Sequence, residues 1–219
     1  MCAVDRKSGE RGICGQTTEI KVARAALHFW EEPCISGEMG SGAVFFSGCA
    51  LHCVFCQNEN IANGTAGKVI STERLGKIFL ELQEKGANNI NLVTPGQFVP
   101  QIIKAVELAR NQNLKIPIVY NTSSYENVDT IRSLEGIVDI YLPDFKYFDT
   151  ALSAKYSHAP DYPAVAKAVI AEMVRQTGAA VFENGEDSLM KRGTIVRHLI
   201  LPGCTKDSKA VLKYLHETY

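Results

Sequence analysis

Two rhythms of apolar residues run along this chain. Short continuous apolar runs recur at residues 43–46, 89–93, 116–120, 138–142 and 194–201. Each reads as a buried strand. Between them lie stretches with helical spacing. Residues 73–85 set Leu75, Ile78, Phe79 and Leu82 on one face, with Ser71 or Thr72 as cap and Gly86 as stop. Pro100 opens a helix that carries Ile102, Ile103, Val106 and Leu108 to about residue 111. Further helices are predicted over 127–134, 150–156, 163–177 and from 207 onward, and a polar loop over 183–191. Residues 20–30 read as a strand and then a short helical turn.

Strands separated by helices predict an α/β fold with a parallel sheet and right-handed crossovers. Five βα units are visible, where eight would close a barrel. The pattern begins at residue 43, so 1–42 is taken as a cysteine-containing lead-in and 43–219 as the core domain. A bare parallel edge after the fifth strand would be open to aggregation.

In such sheets chemistry gathers where strands end. The second strand ends in Thr94-Pro95-Gly96-Gln97 and the third in Asn121-Thr122-Ser123-Ser124. The fourth ends in Asp144-Phe145-Lys146. The fifth contains Arg197 and ends in Pro202-Gly203-Cys204. One polar strand end is an ordinary turn, but several on one rim point to a ligand site.

Composition narrows the classes. Apolar content is 46%, charged content 21% and net charge −1, so no global field points to nucleic acid or to an anionic membrane. No apolar run approaches the ~20 residues of a membrane span. Residues 1–7 carry no apolar region of a signal peptide. Seven cysteines, an odd count, then suggest free thiols in a reducing cytoplasm and use as metal ligands.

The first strand runs straight into Cys49, Cys53 and Cys56, spaced C-x3-C-x2-C. Three thiolates on one loop suit a soft metal centre. A structural zinc needs four closed ligands, and an iron–sulfur cube has four corners. With three cysteines, one corner stays open to an exchangeable ligand. A zinc loop borrowing Cys34 or His52 is the rival reading, and a disulfide framework a weaker one. Cys2 and Cys14 are either part of a second metal site or simply free thiols.

This spacing, with Phe55 just before the last cysteine, resembles the radical S-adenosylmethionine (radical SAM) superfamily. The resemblance implies a [4Fe–4S] cluster on Cys49, Cys53 and Cys56. It also implies S-adenosylmethionine on the fourth iron and Phe55 near the adenine. Nearly the whole chain resembles the pyruvate formate-lyase-activating-enzyme-like branch. Asp144-Phe145-Lys146 is similar to that branch's Asp-Leu-Lys motif, and Arg197 and Leu199 to its late cofactor-contacting strand. Thr94 to Gln97 stand where Gly-Gly-Glu is usual, and Asn121 where an aspartate is usual.

On this resemblance Thr94, Gly96 and Gln97 would meet the methionyl amino group. Asn121 and Ser123 would meet ribose or carboxylate oxygens, Asp144 a cation or hydroxyl, and Lys146 or Arg197 a carboxylate. The family fold is a partial (βα)6 barrel, so about five units imply a shortened chain. The implied activity is reductive cleavage of S-adenosylmethionine to a 5′-deoxyadenosyl radical that activates a glycyl-radical enzyme. A flavodoxin or ferredoxin would be the electron donor, and no side chain would need to be a general base. Alternatives are a radical enzyme acting on a small molecule or another protein, and a non-catalytic metal-binding module.

Overall fold

The computed structural model describes residues 4–183 and 188–219. Cys2 and residues 184–187 of the expected polar loop lie outside the described residues. The chain runs β1 (Ile20–His28), α1 (Pro33–Ser36), β2 (Ser41–Phe46), α2 (Glu59–Ala62) and β3 (Lys68–Ile70). Next come α3 (Thr72–Glu84), β4 (Ile90–Val93), α4 (Val99–Asn111), β5 (Ile118–Thr122), α5 (Val128–Arg132) and β6 (Ile140–Pro143). After these follow α6 (Thr150–Ser157), α7 (Tyr162–Thr177), β7 (Val181–Phe182), β8 (Met190–Thr194) and α8 (Thr205–Thr218).

Among the described residues the strands form one open sheet in the order β3-β1-β2-β4-β5-β6-β8-β7. Five strands, β2, β4, β5, β6 and β8, are mutually parallel, the first four of them at the expected apolar runs. Ile90 stands opposite Gly42 on one side and Ile118 on the other, and Ile140 opposite Val119 and Gly193. The architecture is α/β with a mostly parallel, unclosed sheet.

Alternation along the strands sorts side chains into two cores. Ile90, Leu92, Ile118 and Tyr120 face the helices and pack with Leu75, Phe79, Leu82, Ile102 and Val106. Fully burying each such side chain contributes about 1.5–3 kcal/mol. Val119, Ile140 and Leu142 point the other way and meet Ile35 and Met190. A one-residue slip would exchange these sets, so the register is firmly specified. The α3 face forms as its spacing predicts, and Ser71 caps it by accepting from the Arg74 N–H at 3.1 Å.

Three expectations need correction. The sheet is not purely parallel: β1 and β3 extend it antiparallel beside β2. The edge after β8 is not bare, because β7 pairs with it antiparallel. The fifth strand lies earlier than the apolar run suggested, at Met190–Thr194 rather than 194–201. Pairing with β7 draws it forward, and Leu199 and Ile200 are exposed instead of buried. Its ladder nevertheless continues as single bonds: the Arg197 N–H donates to the Pro143 carbonyl, and the Phe145 N–H to the Arg197 carbonyl.

A third apolar cluster closes the strand-end side. Leu51, Phe145, Tyr147, Tyr162 and Val211 form it, with Cys49, Cys53 and Phe55 packed against it. It is the floor on which the cysteine loop rests.

Candidate functional site

The loop leaves β2 through a turn that only glycine tolerates. Gly48 has φ +88°, and a Cβ there would sit 2.5 Å from the Cys14 carbonyl oxygen. Its N–H donates to the Ile61 carbonyl at 2.8 Å. The far side is tied down by the Val54 N–H, which donates to the Tyr156 carbonyl at 2.9 Å. Gln97 braces the near side. Its amide nitrogen lies 2.9 Å from the Ser47 carbonyl oxygen, 3.0 Å from that of Gly48 and 2.9 Å from that of Thr94. The side chain expected near a methionyl amino group thus spends its donors on the loop's own backbone.

Burial pushes the Cys49 thiol up from its ordinary pKa. The Leu51 and His52 N–H groups pull it back, and the charges of Cys53 and Cys56 add to the rise. Burial also raises the Cys53 thiol, against a hydrogen bond from Ser157 and the charge of Lys146. Among the described residues no three His, Cys, Asp or Glu side chains stand close enough to grip one ion. Tetrahedral zinc would need sulfurs about 3.8 Å apart. A cube holds its thiolates at separate corners, and the donor set fits it: three thiols on one loop, with Cys49 and Cys53 packed against an apolar floor. The residues a zinc site would borrow are engaged elsewhere. His52 Nε2 lies 2.9 Å from the Ile13 carbonyl oxygen, and Cys34 packs against the Ile35 core. All six described cysteines are free.

A second group of predicted residues forms one ionic cluster. Asp144 accepts from Lys146 Nζ at 2.6 Å and from Arg197 Nε at 3.0 Å. Arg197 also donates to Asn121 Oδ1 at 2.6 Å and reaches Glu31 at 3.4 Å. Burial works against the Lys146 charge, but Asp144 and the nearby Cys53 outweigh it, and its pKa rises. Burial raises the Glu31 carboxyl despite Arg197. Both basic side chains are thus paired with Asp144.

A cavity of about 180 Å³ opens beside Cys49 and is walled by Thr94, Gly96, Gln97, Ser123 and Glu126. Thr94 holds φ +55°, a conformation that costs a β-branched residue about 1–3 kcal/mol. A Cβ on Gly96 would fall 2.6 Å from Glu126 Oε2. Glu126 accepts from the Tyr120 hydroxyl at 2.6 Å and from the Thr122 hydroxyl. Burial raises its pKa, and these two donors oppose the rise.

The structure therefore gathers Cys49, Thr94, Gly96, Gln97 and Ser123 on one wall, and Asn121, Asp144, Lys146 and Arg197 in one cluster. Phe55 lies outside both, with its ring 6.4 Å from that of Tyr147. Leu199 is 52% exposed and lines no part of the cavity. Sequence reasoning missed Glu126, Glu31 and Ser157. Glu126 was within reach, since it follows the third polar strand end by two residues. Glu31 lies in a lead-in with no helical or strand period, and Ser157 sits in a helix with nothing to mark it.

Two comparisons bear on this site. The sequence profile of the Radical SAM superfamily matches residues 43–215. An uncharacterized protein of Methanocaldococcus jannaschii is 27% identical over 208 residues, covering 92% of this chain and 55% of its own length. The chain thus spans about half the length of the curated relative it matches.

Proposed function

Because this chain belongs to the radical SAM superfamily, we propose that it is an enzyme that cleaves S-adenosylmethionine reductively to activate a glycyl-radical protein. The observation that carries the reading is one loop of three free thiols, set beside a cavity at the strand ends of a parallel sheet. Cys49, Cys53 and Cys56 would hold a [4Fe–4S] cluster and leave its fourth iron for the methionyl group. When bound, that cluster supplies the one electron that breaks the carbon–sulfur bond, giving methionine and a 5′-deoxyadenosyl radical.

The chain's own side chains bind and orient. Gln97 and Gly48 fix the loop. Asp144, Lys146, Arg197 and Asn121 present a preorganised polar face to the ribose and methionyl groups, with Thr94, Gly96 and Ser123 on the adjoining wall. Phe55, held against Tyr147, would flank the adenine. No general base is required.

The activase assignment draws on the Asp144-Phe145-Lys146 and Arg197 motifs. The partner would then be a glycyl-radical enzyme that loses a glycine Cα hydrogen. The electron donor would be a flavodoxin or ferredoxin, and the setting a reducing cytoplasm that preserves the cluster.

The test is anaerobic reconstitution followed by reduction with dithionite in the presence of S-adenosylmethionine. Formation of 5′-deoxyadenosine, and a glycyl radical signal on a co-expressed partner, supports the proposal. A reduced cluster that yields no nucleoside contradicts it. Nucleoside formation with no radical on the partner would shift the substrate to a small molecule or another protein.

A further inference from the structure

We propose that Ser157, polarised by Tyr147 behind it, sets the reduction potential of the iron–sulfur cluster through a hydrogen bond to the Cys53 sulfur. This rests on the cluster reading above. Ser157 Oγ lies 3.0 Å from Cys53 Sγ, and the Tyr147 hydroxyl lies 2.7 Å from Ser157 Oγ. Both side chains are buried, Ser157 at 2% exposure and Tyr147 at 0%. A serine hydroxyl has one proton. When that proton points at sulfur, the oxygen can only accept from Tyr147, so the chain Tyr147→Ser157→Cys53 has a defined direction. Each bond in such a chain polarises the next.

The relay is held rigidly. The Tyr147 ring packs edge-on against Tyr162 at 5.5 Å and against Phe55 at 6.4 Å. Ser157 is the last residue of α6, which His158 ends in a left-handed conformation at φ +54°. The Tyr156 carbonyl, one residue before Ser157, holds the loop through the Val54 N–H. The loop and its donor are therefore tied at adjacent residues. Cys49, by contrast, is met by backbone donors, with the Leu51 N–H at 3.5 Å.

One-electron reduction adds negative charge that spreads onto the thiolate sulfurs. A buried donor aimed at one of them favours the reduced form and raises the potential. The electron would come from the external flavodoxin- or ferredoxin-type donor and rest on the cluster until S-adenosylmethionine takes it, while the Ser157 proton stays on oxygen throughout. Neither Ser157 nor Tyr147 binds iron, so both are positioning residues for the electron-transfer step.

The experiment is a potentiometric titration of reconstituted protein, followed by electron paramagnetic resonance of the reduced cluster. Ser157→Ala should move the midpoint to a more negative potential. Tyr147→Phe should move it the same way by less, and Ser157→Thr should keep it near wild type. An intact four-iron cluster in Ser157→Ala with an unmoved midpoint overturns the inference alone. If Ser157→Ala holds no cluster, Tyr147→Phe decides, and an unmoved midpoint there also overturns it. A wild-type protein that assembles no four-iron cluster removes the underlying reading and this inference with it.

Discussion

One methyl group is enough to disturb the rim at Gly96. Its added Cβ would press on the Glu126 carboxylate, which is held in turn by Tyr120 and Thr122 and has little room to retreat. Gly96→Ala should cost about 1–3 kcal/mol, read as a lower denaturation midpoint in urea. Glu126 itself has a sign that can be checked. Its folded pKa is raised by burial, so the folded state binds its proton more readily than the unfolded state. The stability it contributes is full below the ordinary glutamate value and is lost as pH rises through the raised one. Glu126→Gln should flatten the fall in unfolding free energy over that interval; an unchanged slope would show that Glu126 titrates normally. Among the cysteines, Cys53→Ala should abolish cluster binding while Cys14→Ala should not, as read by iron content and visible absorbance. Equal loss from both would point to a different ligand set.

At the scale of elements, the cysteine loop is a device for holding sulfurs still. Gln97 contacts two carbonyls at its base, those of Ser47 and Gly48, and Tyr156 holds its far side. Gln97→Ala should leave the fold intact but shorten the lifetime of the assembled cluster severalfold, followed as loss of absorbance under a chelator. Unchanged retention would mean that the Val54 tether suffices.

The elements also show what could be read from the sequence. The α3 helix was legible because Leu75, Ile78, Phe79 and Leu82 repeat at helical spacing behind a serine cap. Four of the parallel strands, β2, β4, β5 and β6, were legible as apolar runs buried on both faces. The fifth strand was misplaced because Leu199 and Ile200 look like core but lie on the surface. The two-residue β7 is too short to carry a period of its own. The β1 strand was only half recognised, since its second half, residues 24–28, is exposed or half-buried and shows no clean alternation of apolar and polar residues. In the site, the three cysteines and the Asp144–Lys146–Arg197 cluster were legible from strand-end position. Ser157 and Glu31 were not, because their partners are distant in sequence and only folding brings them together.

The whole molecule is an unclosed, mostly parallel sheet whose strand ends share one polar rim. The cysteine loop overhangs one part of that rim and the Asp144–Arg197 ion pair occupies another, with Cys53 electrostatically aware of both Asp144 and Lys146. No helix among the described residues is long and apolar enough to cross a membrane. On that rim Asp144, Lys146, Arg197 and Asn121 form one hydrogen-bonded ionic cluster.

The most direct measurement is the electron paramagnetic resonance spectrum of the reduced, reconstituted protein before and after S-adenosylmethionine is added, with iron and sulfide counted on the same sample. The account predicts about four of each per chain and a spectrum that changes on addition, because the cofactor seats on the one iron without a protein sulfur. Bound zinc in place of iron, or a four-iron signal indifferent to S-adenosylmethionine, would contradict it.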